Sequence, residues 1–174
     1  MWHSGDNEGI PLVTGLTVRE EQRSYESNYW LLPNPELWGK DEVLFTTTSG
    51  SYTAHDIPQF FSDISYDEGF NIWENMKEIF SLSDPNVKVR VKYGTVKDKT
   101  ATRYNYNTAN VDDTSKLETV YGEGDGTVNL RSLRAAEKMK WKDVTHDEYD
   151  GEDHTTVLKN KELIGELLGY AGVV

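Results

Sequence analysis

The sequence predicts an α/β fold, and three patterns point to it. VKVRVKY, residues 87–93, sets Val87, Val89, Val91 and Tyr93 against Lys88, Arg90 and Lys92, the period of two that gives a strand one apolar face. TTVLKNKELIGELLGY, residues 155–170, repeats apolar residues at helical spacing (Val157, Leu158, Leu163 or Ile164, Leu167 or Leu168), which predicts a closing helix. From residue 87 onward the order reads strand, loop, strand, loop, helix, strand, loop, helix, the alternation from which sheets with packed helices are built.

The composition shifts near Asp84-Pro85, and the elements before it are of another kind. Tyr29 to Phe80 is rich in aromatic and turn residues, with an apolar segment at Val43 to Phe45 and then a loop, TTTSGS. In YTAHDIPQFFSDI, Ile57, Phe60, Phe61 and Ile64 fall at helical spacing, Asp56 is placed to cap, and Pro58 sits in the first turn, where it costs little. DEGFNIWENMKEIF places Phe70, Trp73, Met76 or Lys77, and Phe80 along one side, a second short helix to pack on the first. After Pro85 the strand VKVRVKY is expected to end at Gly94, and KDKTATRYNYNTANVDDTSK reads as a polar loop leading to a short strand, LETVY. A helix follows from Leu130 to Met139, then a strand over about Lys142 to Tyr149, and the closing helix has Thr155 or Thr156 available as cap.

Composition excludes several functions. The 174 residues fit a single domain, and 36% apolar residues with 5 Trp and 10 Tyr argue for a folded chain. A net charge of −12 opposes binding to nucleic acid and to anionic membranes alike. No apolar run approaches the roughly eighteen residues needed to span a bilayer, and MWHSGDNEGI lacks the features of a signal peptide. The absence of cysteine rules out disulfides, thiolate metal sites and cysteine nucleophiles. There is no Asn-x-Ser/Thr acceptor for N-glycosylation.

Chemistry concentrates in two loops expected beyond the carboxyl ends of strands, where α/β sheets gather functional residues. Asp125, in YGEGDGTVNL, follows LETVY between two glycines, and His154 follows the last strand, 29 residues on. Asp-Gly is also an ordinary turn signal, so Asp125 reads either as a turn tip or as the acid of a triad whose chain order runs nucleophile, acid, histidine. In that chemistry a carboxylate holds one imidazole nitrogen so that the other can take a serine proton.

SGDNEGIPLVTGLTVREEQRS, YWLLPNPELWGKDEVLFTTTSGSYTAHDIPQFFSDI and YGEGDGTVNLRSL, with GEDHTTVL, resemble the lecithin:cholesterol acyltransferase family, in particular its lysosomal phospholipase A/acyltransferase branch. The resemblance runs in register from Ser4 to about Leu168 and corresponds to the C-terminal portion of that architecture. It implies a lid and cap segment over residues 1–82 and the C-terminal part of an α/β-hydrolase sheet over 83–174, with Asp125 as triad acid and His154 as triad base. It further implies a glycerophospholipid acyl donor, water or a lipid alcohol as acceptor, no cofactor, and a lysosomal or extracellular setting. The family's nucleophile elbow and oxyanion hole would precede Met1. Ser4 is not a substitute, since it has Trp2 where the elbow carries glycine and no strand before it. The chain is therefore expected to be inactive alone, or else to be a non-catalytic lipid-binding or interaction protein that keeps the cap and lid surface. The glycosylation acceptor of the family is replaced here by Ser51, and its acid-loop cysteines are absent.

The remaining candidates weigh less. Trp30, Leu31 and Leu32 read either as cap packing or as a contact for an acyl chain. HDEYDGEDH, with two histidines and five acids, does not follow the ligand order of a calcium loop and reads as a solvated loop with no metal. His146 is a rival base but falls inside the last strand, while His3 and His55 read as surface or cap residues. Arg19, Glu20, Glu21 and Arg23 read as a solvated lid stretch. Half a sheet would leave an unpaired edge, so association through that edge is expected.

Overall fold

An eighteen-residue strand, β3 (Val89–Tyr106), organises the chain. In the computed structural model, residues 15–76, 81–109, 111 and 114–173 are described. The architecture is mixed α/β: strands run in the order β2 (Gly50–Tyr52), β1 (Phe45–Thr47), β3, β4 (Leu117–Gly124), with β5 (Val144–Asp150) also paired to β3. The chain divides into two compact units, Met1–Ser81 with Arg103–Thr119, and Leu82–Thr102 with Val120–Val174. Among the described residues no helix is long and apolar enough to cross a membrane.

Among its described residues the first unit opens with three helices, α1 (Gly15–Ser24), α2 (Glu26–Trp30) and α3 (Pro35–Trp38). The stretch TTTSGS is not a plain loop but most of a hairpin, β1 (Phe45–Thr47) with β2 (Gly50–Tyr52), in which Phe45 stands opposite Tyr52. β1 also runs parallel to the end of β3, with Phe45 opposite Tyr104. Helix α4 (Ile57–Asp63) buries Ile57, Phe60 and Phe61, three of the four residues picked out by spacing. Its entry is a 3-10 turn, Ala54–Asp56, capped by Thr53, and the Asp56 carboxylate reaches back to the Thr53 N–H instead of capping α4. Helix α5 (Asp67–Met76) buries Gly69 and Met76, whereas Phe70 is exposed; Lys77 and Phe80 of the expected stripe lie outside the described residues.

The core of this unit is aromatic. Phe45 stacks on Phe60 at 4.9 Å, Tyr52 meets Phe60 edge-on at 5.1 Å, and Phe61 meets Tyr66 edge-on at 5.6 Å. The hydroxyls of Tyr29 and Tyr66 touch each other and both reach the Arg23 carbonyl at the end of α1, at 3.0 and 2.9 Å. Burial first, then the mutual hydrogen bond, pushes the Tyr29 hydroxyl well above its ordinary pKa. The α1 arginines are not solvated as expected: Arg19 is buried, and the Arg23 guanidinium lies 4.5 Å from the centre of the Tyr66 ring.

In the second unit β3 does not stop at Gly94. Residues 89–95 run parallel to β5 (Val144–Asp150), with Gly94 opposite Tyr149, and the strand continues to Tyr106, through the first half of the stretch read as a polar loop. β4 spans Leu117–Gly124. The expected helix 130–139 is two short ones, α6 (Leu130–Leu133) and α7 (Ala135–Lys138), separated at Arg134. Arg134 donates to Tyr93 Oη at 2.9 Å and to Glu148 at 2.7 Å.

A 3-10 turn, Thr156–Lys159, then leads into the closing helix α8 (Lys161–Tyr170). The α8 cap is Asn160, which accepts from the Glu162 and Leu163 N–H groups, and not Thr155 or Thr156. Of the expected stripe, Val157 and Leu163 are buried with Tyr149, while Leu158, Ile164, Leu167 and Leu168 are exposed.

Candidate functional site

Asp125 and His154, both in the second unit, meet side chain to side chain: His154 Nδ1 lies 2.7 Å from Asp125 Oδ2. The contact is reinforced in the backbone, where the His154 N–H donates to the Asp125 carbonyl at 2.8 Å. Asp125 stands just beyond β4, and His154 lies four residues beyond the end of β5. The other carboxylate oxygen, Oδ1, accepts from the Thr127 and Val128 N–H groups at 2.9 and 2.7 Å, a local turn that fixes the side chain.

The two partners differ in exposure. The Asp125 side chain is 5% exposed and the His154 side chain 51%. A buried carboxylate satisfied by two amides accepts from an imidazole N–H, which assigns the proton to Nδ1 and leaves the Nε2 lone pair available. Among the described residues Nε2 has no hydrogen-bond partner, so the ring can take a proton there from a substrate or a nucleophile.

The turn before His154 is set by Gly94 and Asp153. A Cβ at Gly94 would fall 2.2 Å from the Glu152 carbonyl oxygen, so only glycine lets that turn lie on β3; the Gly151 N–H donates to the Thr95 carbonyl at 2.8 Å. The Asp153 carboxylate accepts from Thr155 and Thr156, bonds that hold it well below the ordinary carboxylate range.

The chain as a whole is similar to proteins of known name. The profile of the lecithin:cholesterol acyltransferase family matches residues 1–78. A phosphatidylcholine-sterol acyltransferase from Gallus gallus is 36% identical over 79% of this chain and 33% of its own length. A lecithin-cholesterol acyltransferase-like 1 protein from Arabidopsis thaliana is 34% identical over 98% of the chain and 39% of its own. A lysosomal phospholipase A and acyltransferase from Rattus norvegicus is 32% identical over 94% of the chain and 40% of its own. The chain belongs to the lecithin:cholesterol acyltransferase family. It spans about a third to two fifths of the length of these members, and the lysosomal branch is represented among them.

The other sequence candidates separate in the structure of this family member. Leu32 is 7% exposed and lines a hollow in the first unit with Tyr29 and Phe61, whereas Trp30 and Leu31 are 59% and 82% exposed. That hollow has room for about 10 Å³, no more than a water molecule needs, and is far too small for an acyl chain. His146 lies in β5 opposite Val91, and both of its ring nitrogens are enclosed without a hydrogen-bond partner, which makes it a poor proton acceptor for substrate. His55 is exposed within the 3-10 turn, and His3 and Ser4 lie outside the described residues.

Four of the five acids of HDEYDGEDH are occupied locally: Asp147 binds Lys92, Glu148 accepts from Arg134 and Thr95, Glu152 accepts from Asn160, and Asp153 caps the turn after it. No group of three or more His, Cys, Asp or Glu that could hold a metal ion occurs among the described residues. Thr100, which sequence reasoning passed over, bonds the Asp125 turn through its hydroxyl. Its only trace in sequence is a β-branched residue inside a stretch that reads as loop.

Proposed function

We propose that the chain supplies the acid and base of a serine-dependent acyl transfer on glycerophospholipids, with Asp125 orienting His154. In this reading residues 1–82 are the lid and cap and 83–174 the C-terminal part of an α/β-hydrolase core. The 2.7 Å contact between His154 Nδ1 and Asp125 Oδ2 is the observation that carries it. His154 Nε2 takes the proton from a serine hydroxyl as that oxygen attacks the ester carbonyl. The imidazolium, stabilised by Asp125, then returns the proton to the departing lysophospholipid oxygen and leaves an acyl-enzyme. Water or a lipid alcohol next attacks the acyl-enzyme, giving its proton to the same nitrogen, and the serine is regenerated.

No serine of the chain lies in a Gly-x-Ser-x-Gly elbow, so nucleophile and oxyanion donors come from sequence outside these residues, and the chain alone gives no turnover. The proposed setting is lysosomal or extracellular.

The test is a chimera in which these residues replace the matching segment of the Arabidopsis relative, which aligns with 98% of the chain. Asp125→Asn and His154→Ala in that chimera are each expected to lower kcat/KM for phosphatidylcholine hydrolysis about 10³-fold or more. Variants within tenfold of the parent would overturn the assignment. Phospholipid hydrolysis by the unmodified chain, lost in both variants, would show that it holds a nucleophile after all.

A second reading, a non-catalytic lipid-binding protein, is favoured by one observation: Trp30 and Leu31 are exposed side by side at the end of α2. It predicts a fluorescence change on adding phosphatidylcholine vesicles that Trp30→Phe removes, without turnover in the chimera.

A further inference from the structure

Thr100 lies in the middle of β3 with 0% exposure, beside Lys97, Asp98 and Lys99, which are all exposed. A hydroxyl so enclosed needs a hydrogen-bond partner. Thr100 Oγ1 accepts from the Gly126 N–H at 2.9 Å. Gly126 directly follows Asp125 and takes φ +91°, so its amide is aimed by the same bend that aims the carboxylate.

The fit is tight on the other flank as well. A Cβ on Gly124 would stand 2.5 Å from Thr100 Oγ1 and 2.2 Å from the Val128 carbonyl oxygen. Ala101, next on β3, accepts from Asn129 Nδ2 at 3.2 Å at the far end of the turn. The amides of Thr127 and Val128 hold the carboxylate relative to its own turn, but they do not hold that turn to the strand. Beyond the end of the β3–β4 pairing, that connection is made by Thr100, with Asn129 as a second tether.

We propose that Thr100 is a positioning residue that acts through Asp125 on His154, keeping the turn seated on β3 so that Oδ2 stays in line with Nδ1. The role rests on the acid and base pair assigned above. Loss of the hydroxyl frees the Gly126 amide, and the carboxylate moves with the turn, because a hydrogen bond weakens steeply as it lengthens and bends.

Proton NMR of the full chain at low temperature tests this. An imidazole N–H bonded to a carboxylate resonates well downfield of the backbone amides, and His154→Ala assigns the signal. In the parent the resonance is expected, and Asp125→Asn should abolish it. Thr100→Val should abolish or shift it and speed exchange of the Gly126 amide at least tenfold, whereas Thr100→Ser, which keeps the hydroxyl, should restore both. If Thr100→Val does not fold, Thr100→Ala, which adds no bulk, takes its place beside Thr100→Ser.

A purely structural role would lower the melting temperature and leave the resonance where it is, and that result overturns the proposal. A resonance removed by Asp125→Asn but untouched at Thr100 refutes the positioning role alone. A resonance missing from the parent, or indifferent to Asp125→Asn, refutes the acid and base pair and the positioning role together.

Discussion

Gly94 shows how a residue without a side chain controls one with chemistry. The backbone of the turn leading to His154 lies where its Cβ would be, 2.2 Å from the Glu152 oxygen, and backbone cannot swing aside as a side chain can. Gly94→Ala is expected to cost about 1–3 kcal/mol in denaturant unfolding and to disturb the His154 imidazole resonance, since the turn must lift from β3. An unchanged melting curve would show that the turn has slack.

At this scale the site was half legible in sequence. Asp125 and His154 were candidates through the flanking glycines and their order along the chain, but only the family resemblance weighed against reading Asp125 as an ordinary turn tip. Thr100 and Gly94 did not, because a threonine in KDKTATRY and a glycine after a strand carry no chemical signature until the strand is known to run on past them. Leu32 shares a run with Trp30 and Leu31, yet of the three it alone turns inward, at the bend after α2, which agrees with the cap-packing alternative for that residue.

Among the elements, strong periodicity was read correctly and weak periodicity was not. Val89 to Tyr93 forms a strand, and α4 buries three of its four marked residues. The second half of β3 was missed because its alternation is written in threonine, arginine, asparagine and tyrosine, and only burial reveals Thr100 and Tyr106 as the inward positions. The hairpin of β1 and β2 was missed because strands of three residues have no period to show.

Caps were misplaced for a related reason, since threonine, asparagine and aspartate compete for the same role. Asn160 holds two amides of α8, at 3.0 and 3.2 Å. Asn160→Ala is therefore expected to cost about 1 kcal/mol, while Thr155→Ala, at an exposed position, should stay within about 0.5 kcal/mol, both read from thermal or denaturant melts. Equal losses would return the capping role to the threonine.

Across the whole molecule, charge and apolar exposure set the behaviour in solution. Asp56, Asp84, Glu148 and Asp153 are all held below the ordinary carboxylate range, by hydrogen bonds from Thr53, Lys142, Arg134 and Thr156 respectively. Because their folded values are depressed, they contribute stability above the ordinary range and lose it as pH falls through that range toward the folded values. Melting temperature is expected to fall steadily from about pH 5 to about pH 2. A flat profile would mean the same bonds persist in the unfolded chain.

In the second unit Tyr149, Val157 and Leu163 form a small buried cluster, while Leu158, Ile164, Leu167 and Leu168 are exposed. Such a surface favours association. Light scattering should show mass rising with concentration, and Leu167→Glu should reduce it; a monomer throughout the range would show that the surface is tolerated.

The paired hydroxyls of Tyr29 and Tyr66 share a single acceptor, the Arg23 carbonyl. Two hydroxyls have two protons for their mutual contact and the carbonyl, so whichever one donates to its neighbour, the other still serves the carbonyl, and phenylalanine at either position leaves one donor for the end of α1. A change at one tyrosine is thus partly masked by the other, and both must be replaced before the Arg23 carbonyl loses its hydroxyl contacts.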